Sequence, residues 1–282
     1  EITEVKPLNN ATPHALFIDL GASASDVWVV NDGYWGIAVT EGQRYNFQFY
    51  LFTEELKNTV VTAALLDCEE QIVVSKNFQI ERDGSWNHYE GAFTVDTTAN
   101  DLRFALLLPH KGKVYIDFVS MFPENTFCGH KNGLREDVAG MLRDLRPDFV
   151  RWPGGCIVEG LTMDNRIKWK ETIGDIVKRP GEYNLWGYRS TYGFGYHEFL
   201  QFCEDIDADG LFVCNAGMSC LFRNGDYWEE ENRIDNLIQD ALDAVEYALG
   251  DTTTVYGKRR AENGHAAPFP LKYVEVGNEN VG

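Results

Sequence analysis

Residues 134–155 read LREDVAGMLRDLRPDFVRWPGG. Leu134, Val138, Met141, Leu142 and Leu145 recur at helical spacing, and Pro147 stops the run. A short apolar strand, Asp148–Trp152, follows at once, and Pro153-Gly154-Gly155 turns the chain at its end. The same alternation continues downstream. A helix carrying Phe199, Leu200, Phe202, Cys203 and Ile206 precedes a strand at Leu211–Asn215. A longer one, with Ile234, Leu237, Ile238, Ala241, Leu242, Val245 and Leu249 on one face, precedes a strand at Leu271–Val276. Helix and strand in turn, with short connections, read as α/β with a parallel sheet. Polar clusters sit where the strands end: Arg151 to Gly155, Asn215-Ala216-Gly217 and Gly277-Asn278-Glu279. In a (β/α)8 barrel the carboxyl ends of the strands form the active-site face.

Upstream of residue 125 the period is two. Tyr45, Phe47, Phe49 and Leu51 alternate with Asn46, Gln48 and Tyr50, as in a strand with one buried face. Further strands are expected at Val60–Leu66, Gln71–Val74, Trp86–Val95, Leu102–Leu108 and Val114–Met121, punctuated by glycine and aspartate. The fold expected is a jelly-roll-like β-sandwich followed by an incomplete (β/α)8 barrel. Residues 1–13 form a lead segment, 14–125 the sandwich and 126–282 the barrel portion. A full barrel takes about 250 residues, so the barrel is expected to be incomplete within this chain, with its parallel edge unpaired.

Composition narrows the function classes. Of 282 residues, 25 are Lys or Arg and 44 are Asp or Glu, a formal charge of −19. Such a chain repels phosphate backbones and anionic bilayers, so neither nucleic acid nor membrane is an expected partner. No apolar run approaches the length of a membrane helix. Six scattered cysteines include no C-x-x-C pair, and the histidines lack metal spacing, so the pattern predicts no zinc site. Asp205, Asp207, Asp209 and Gly210 open like a calcium loop, but its twelfth position is Ala216 rather than Glu.

VRWPGGCIVEG at Val150–Gly160 and LKYVEVGNEN at Leu271–Asn280 resemble α-L-arabinofuranosidases of glycoside hydrolase family fifty-one. GYWGIAVTEGQRY at Gly33–Tyr45, KWKETIG at Lys168–Gly174 and GYHEFLQFCED at Gly195–Asp205 extend the resemblance over nearly the whole chain. The likeness is greater to the plant and bacterial branch that carries a carbohydrate-binding-like sandwich. The resemblance implies retaining hydrolysis of terminal α-L-arabinofuranosyl groups from arabinoxylan or arabinan, by a secreted or periplasmic protein without a cofactor. It implies Glu279 as general acid/base, Asn278 as the sugar-binding residue beside it, and Arg151 as lining the subsite nearest the cleaved bond. Cys156 stands where other members carry Asn. The family's first strand and its fifth to eighth strands, with the nucleophilic glutamate, have no counterpart between residues 1 and 282. The isolated chain is therefore expected to be inactive, with a complementary polypeptide segment or a second copy covering the open edge.

The chemistry supports the same residues. Glycoside hydrolysis needs one carboxylic acid to protonate the leaving oxygen and a second carboxylate opposite it. A semi-buried Glu279 would hold its proton near neutrality. Each residue also has a structural alternative. Arg151 could pair with a barrel carboxylate, Asn215 either faces the pocket or caps a loop, and Glu159 fits a loop-stabilising role. A related barrel glycosidase such as an endoglucanase, and a non-catalytic carbohydrate-binding fragment, are the competing functions. Trp28, Trp35, Trp86 and Tyr89 would be the sandwich's sugar-binding candidates, with core packing favoured for them.

Overall fold

The computed structural model describes residues 1–21 and 25–280 and divides into two compact units, Glu1–Gly140 and Met141–Gly282. The division falls inside a helix, beyond the change of period near residue 125.

Among the described residues the first unit contains ten strands: β1 Ile2–Thr3, β2 Ala15–Asp19, β3 Val27–Asn31, β4 Ile37–Val39, β5 Arg44–Glu54, β6 Val60–Leu66, β7 Ile72–Gln79, β8 Trp86–Thr94, β9 Ala99–Leu108 and β10 Lys113–Pro123. They make two antiparallel sheets, one in the order β1-β2-β10-β5-β8 and one in the order β3-β9-β6-β7 with β4 also on β9. The alternation in β5 decides which face is buried: Tyr45, Phe47, Phe49 and Leu51 point inward while Arg44 and Asn46 face out. Residues of both sheets meet in one core, where Phe47 stacks on Phe93 at 4.3 Å and Phe78 lies edge-on to Phe49 at 5.2 Å. Each such side chain contributes about 1.5–3 kcal/mol by burial. Tyr89 belongs to this packing, stacked on Phe49. Trp35, at a positive φ in the turn before β4, is 91% exposed. The six expected strands are present as β5 to β10, and β1, β2, β3 and β4 are additions.

Helix α1, Glu136–Asp144, leads into the second unit. Its apolar stripe is exposed: Val138, Met141, Leu142 and Leu145 all face out among the described residues, and Ala139 is its buried residue. Three parallel strands follow in the order β11-β14-β15: β11 Phe149–Trp152, β14 Asp209–Cys214 and β15 Leu271–Val276. Between β11 and β14 lie α2 Gly155–Glu159, a small hairpin of β12 Glu182–Tyr183 and β13 Arg189–Ser190, and α3 Tyr196–Asp205. Phe199, Leu200, Phe202, Cys203 and Ile206 are all buried, as the helical period predicts. Trp152, Trp169, Tyr196, Phe212 and Tyr247 form the unit's aromatic core. Trp169 is a packing residue, its indole N–H donating to the Asp240 carbonyl.

Helix α4, Glu231–Leu249, corrects the expected face. Leu237, Ala244, Tyr247 and Ala248 are buried, whereas Ile238, Leu242 and Leu249 are exposed. The sheet takes one edge of a wide apolar band rather than its centre. A further helix, α5 Val255–Glu262, has no apolar stripe to announce it. One fully buried residue anchors it. The Arg260 guanidinium donates to the carbonyls of Tyr247, Ala248, Gly250, His265 and Ala266, closing the C-terminal end of α4 with a cation. Between α3 and β14, Asp207 has a positive φ and Asp209 pairs with Lys272, so these aspartates serve a turn and a strand. No helix among the described residues is long and apolar enough to cross a membrane.

Candidate active site

Parallel pairing puts Arg151 in register with Leu211 and Tyr273, so β11, β14 and β15 end on the same side of the sheet. Arg151, Asn215, Asn278 and Glu279 all lie at those carboxyl ends. The turn after β15 depends on Gly277, at φ 77°. A Cβ there would stand 1.9 Å from Asn280 Oδ1, the atom that accepts the Asn278 backbone N–H at 2.9 Å. The Gly277 N–H in turn donates to the Cys214 carbonyl at 2.8 Å, tying this turn to the end of β14.

Arg151 is the hub. Its Nε and Nη2 donate to the two carboxylate oxygens of Glu275 at 2.7 and 2.6 Å, a forked ion pair that reaches across β14 from β11 to β15. Nη2 also donates to Asn278 Oδ1 at 3.0 Å. The other end of the Asn278 amide, Nδ2, donates to Glu159 Oε2 at 3.3 Å. Glu159 is 2% exposed, which fits the loop-stabilising reading and keeps its carboxylate from acting freely. The chain of contacts Glu275–Arg151–Asn278–Glu159 therefore fixes the amide of Asn278 in one orientation. Hydrogen bonding to Arg151 holds the Glu275 carboxyl below its ordinary range. The same bond, then the charges of Glu275 and Glu279, holds the Arg151 guanidinium up.

Glu279, itself at φ 48° in the turn after β15, is exposed in this chain. Its charge is nonetheless felt at Arg151 and at Cys156. Asn215 forms the loop cap that was one of its two alternatives: its Nδ2 donates to the carbonyls of Val158 and Met218, and its Oδ1 accepts from the Gly217 N–H at 2.6 Å. Arg151 realises its structural alternative and, through Asn278, stays in the site. Sequence reasoning missed Glu275. Its position two residues before Gly277, on the strand face that Arg151 also uses, is the signal that finds it.

Cys156 opens α2 half-buried, with its Sγ 3.6 Å from Cys220 Sγ. Burial, then the Cys220 contact, pushes the Cys156 thiol up to about 11, so it stays protonated at neutrality. Cys156, Cys220 and Glu159 bring three possible metal donors within 4.8 Å of one another. The sequence pattern gives no hint of this group, because Cys220 arrives from a separate loop.

The family model described as the α-L-arabinofuranosidase 1 domain matches residues 141–282. An extracellular exo-α-L-arabinofuranosidase of Streptomyces chartreusis is 36% identical over 93% of this chain and 32% of its own length. α-L-Arabinofuranosidase 1 of Arabidopsis thaliana is 36% identical over 93% of this chain and 38% of its own. Among solved structures, the arabinose-bound MgGH51 α-L-arabinofuranosidase superposes with a TM-score of 0.90 at 29% identity, covering 99% of this chain and 46% of that one. The chain thus spans between a third and a half of the length of these relatives.

Proposed function

The chain belongs to the α-L-arabinofuranosidase 1 domain family, and on that premise we propose that the protein carrying it hydrolyses terminal non-reducing α-L-arabinofuranosyl residues of arabinoxylan- or arabinan-type polysaccharides with retention. The observation that carries the assignment to residues is the Asn278–Glu279 pair after β15, with Asn278 held between Arg151 and Glu159. Glu279 is the general acid/base: its exposure leaves it free to reach a leaving oxygen. Asn278 and Arg151 line the sugar subsite, and Cys156 borders it. The name of the Streptomyces relative supports export, so the protein is proposed to be secreted or periplasmic.

The domain reading goes with this function. Residues 14–125 act as a carbohydrate-binding-like β-sandwich, and 126–282 as part of a (β/α)8 barrel. Exposed Phe149, Tyr273, Val274 and Val276 on the outer strands of the three-stranded sheet support a barrel continued by further strands.

The test is Glu279→Gln in the full protein containing this chain. Losing general acid help should slow cleavage of arabinoxylo-oligosaccharides by about 10²–10⁴-fold. An aryl arabinofuranoside, whose leaving group needs no proton, should suffer much less in the first step. An equal, small effect on both substrates removes Glu279 from the role. Faster turnover of cello-oligosaccharides than of arabinofuranosides would favour an endoglucanase instead.

A further inference from the structure

Cys156 and Glu159 lie one turn apart on α2, and Cys220 meets them from the loop after β14. That loop is held in place by its backbone. The Cys220 N–H donates to the Gly160 carbonyl at 3.0 Å, and the Cys220 carbonyl accepts N–H groups from Arg223, Asn224 and Gly225. Ser219 and Asp226 bond each other across its neck. Cys220 and Glu159 are 1% and 2% exposed, while Cys156 is half-buried and reachable from solvent.

The sulfur spacing discriminates between two chemistries. A disulfide needs its sulfurs about 2.05 Å apart. A tetrahedral ion bound at about 2.3 Å by two thiolates holds them roughly 3.8 Å apart, the edge of the tetrahedron. The observed 3.6 Å, a contact between two free thiols, is too long for the first and needs little movement to reach the second. Two sulfurs and one carboxylate on anchored backbone also form a donor set that suits thiophilic divalent ions, not calcium or magnesium.

We propose that Cys156, Cys220 and Glu159 form a binding site for a thiophilic divalent cation of the zinc or cadmium class, with its fourth position open to solvent beside Cys156. Binding makes two metal–sulfur bonds and one metal–oxygen bond, and each thiol gives its proton to solvent. Glu159 would then serve two partners, the ion through one oxygen and Asn278 through the other. The site is therefore linked to the amide beside Glu279.

Cadmium alone is the probe, added to the reduced 282-residue chain while sulfur-to-cadmium charge-transfer absorbance is followed. One ion per chain is expected. Cys156→Ser and Cys220→Ser should each lower affinity by at least the ~10–100-fold that even outer-shell losses cost. Glu159→Gln should weaken binding less, and Cys68→Ser, an exposed thiol elsewhere, should change nothing. Circular dichroism confirms that each variant is folded, and the readout does not depend on glycosidase activity. Absence of the charge-transfer band in the reduced protein overturns the proposal. So does a band that survives the Cys156→Ser/Cys220→Ser double variant. Export through an oxidising compartment favours disulfides, so a Cys156–Cys220 disulfide found by peptide mapping of the purified protein overturns it as well.

Discussion

The fork between Arg151 and Glu275 has a pH signature. Glu275 titrates below its ordinary value of 4.5 in the folded chain. Its stabilising contribution is therefore complete above that value and lost as pH falls through the folded one. Arg151→Gln should destabilise by about 1 kcal/mol at neutral pH, a modest figure for side chains one-third exposed. The difference should shrink as pH falls below 4.5 and through the lowered folded value, where Glu275 takes up its proton in both proteins. Urea midpoints between pH 7 and 3 measure this; a difference that grows on acidification would assign the stabilisation elsewhere. Gly277→Ala forces a Cβ into a left-handed backbone position and onto Asn280, which costs about 1–2 kcal/mol. Because Asn280 holds the Asn278 backbone, activity in the full protein should fall further than stability predicts. At this scale Arg151, Asn278 and Glu279 are legible from strand-end position. Glu275 is harder to read, since its partner Arg151 is distant in sequence, and the Asn215 cap is legible only as one of two alternatives.

Helix α5 illustrates what element-level periodicity misses. Strand β5 and helix α3 are legible because one face of each is buried along its whole length. Helix α5 buries few residues, and it is held instead by one guanidinium spread over five carbonyls. No apolar pattern encodes that. Arg260→Met should leave those buried carbonyls short of donors and destabilise by about 3–5 kcal/mol. Arg260→Lys, which keeps the charge but reaches fewer carbonyls, should recover only part. Thermal or urea unfolding of both variants measures the difference, and a near-neutral methionine variant would show that water replaces the guanidinium. Helix α4 errs in the other direction: its apolar band is wider than the surface it meets, so the buried edge follows from the sheet alone.

Across the molecule the charge of −19 is self-repulsive. Salt screens that repulsion, so the melting temperature should rise from low to moderate ionic strength at neutral pH. A fall would mean that attractive pairs such as Arg151–Glu275 outweigh the net field. The neutral sugar polymer proposed as substrate is not steered by charge, so the Michaelis constant of the full protein should barely respond over the same range. The change of period falls near residue 125, and the two compact units part within α1, between Gly140 and Met141. One pairing in the first unit reaches further than packing. Strand β2, near its beginning, lies hydrogen-bonded beside β10, near its end, from Asp19 opposite Lys113 to Leu16 opposite Ile116. The opening and closing parts of this unit are therefore neighbours in one sheet, the closeness of beginning and end that makes a unit tolerant of being moved as a cassette.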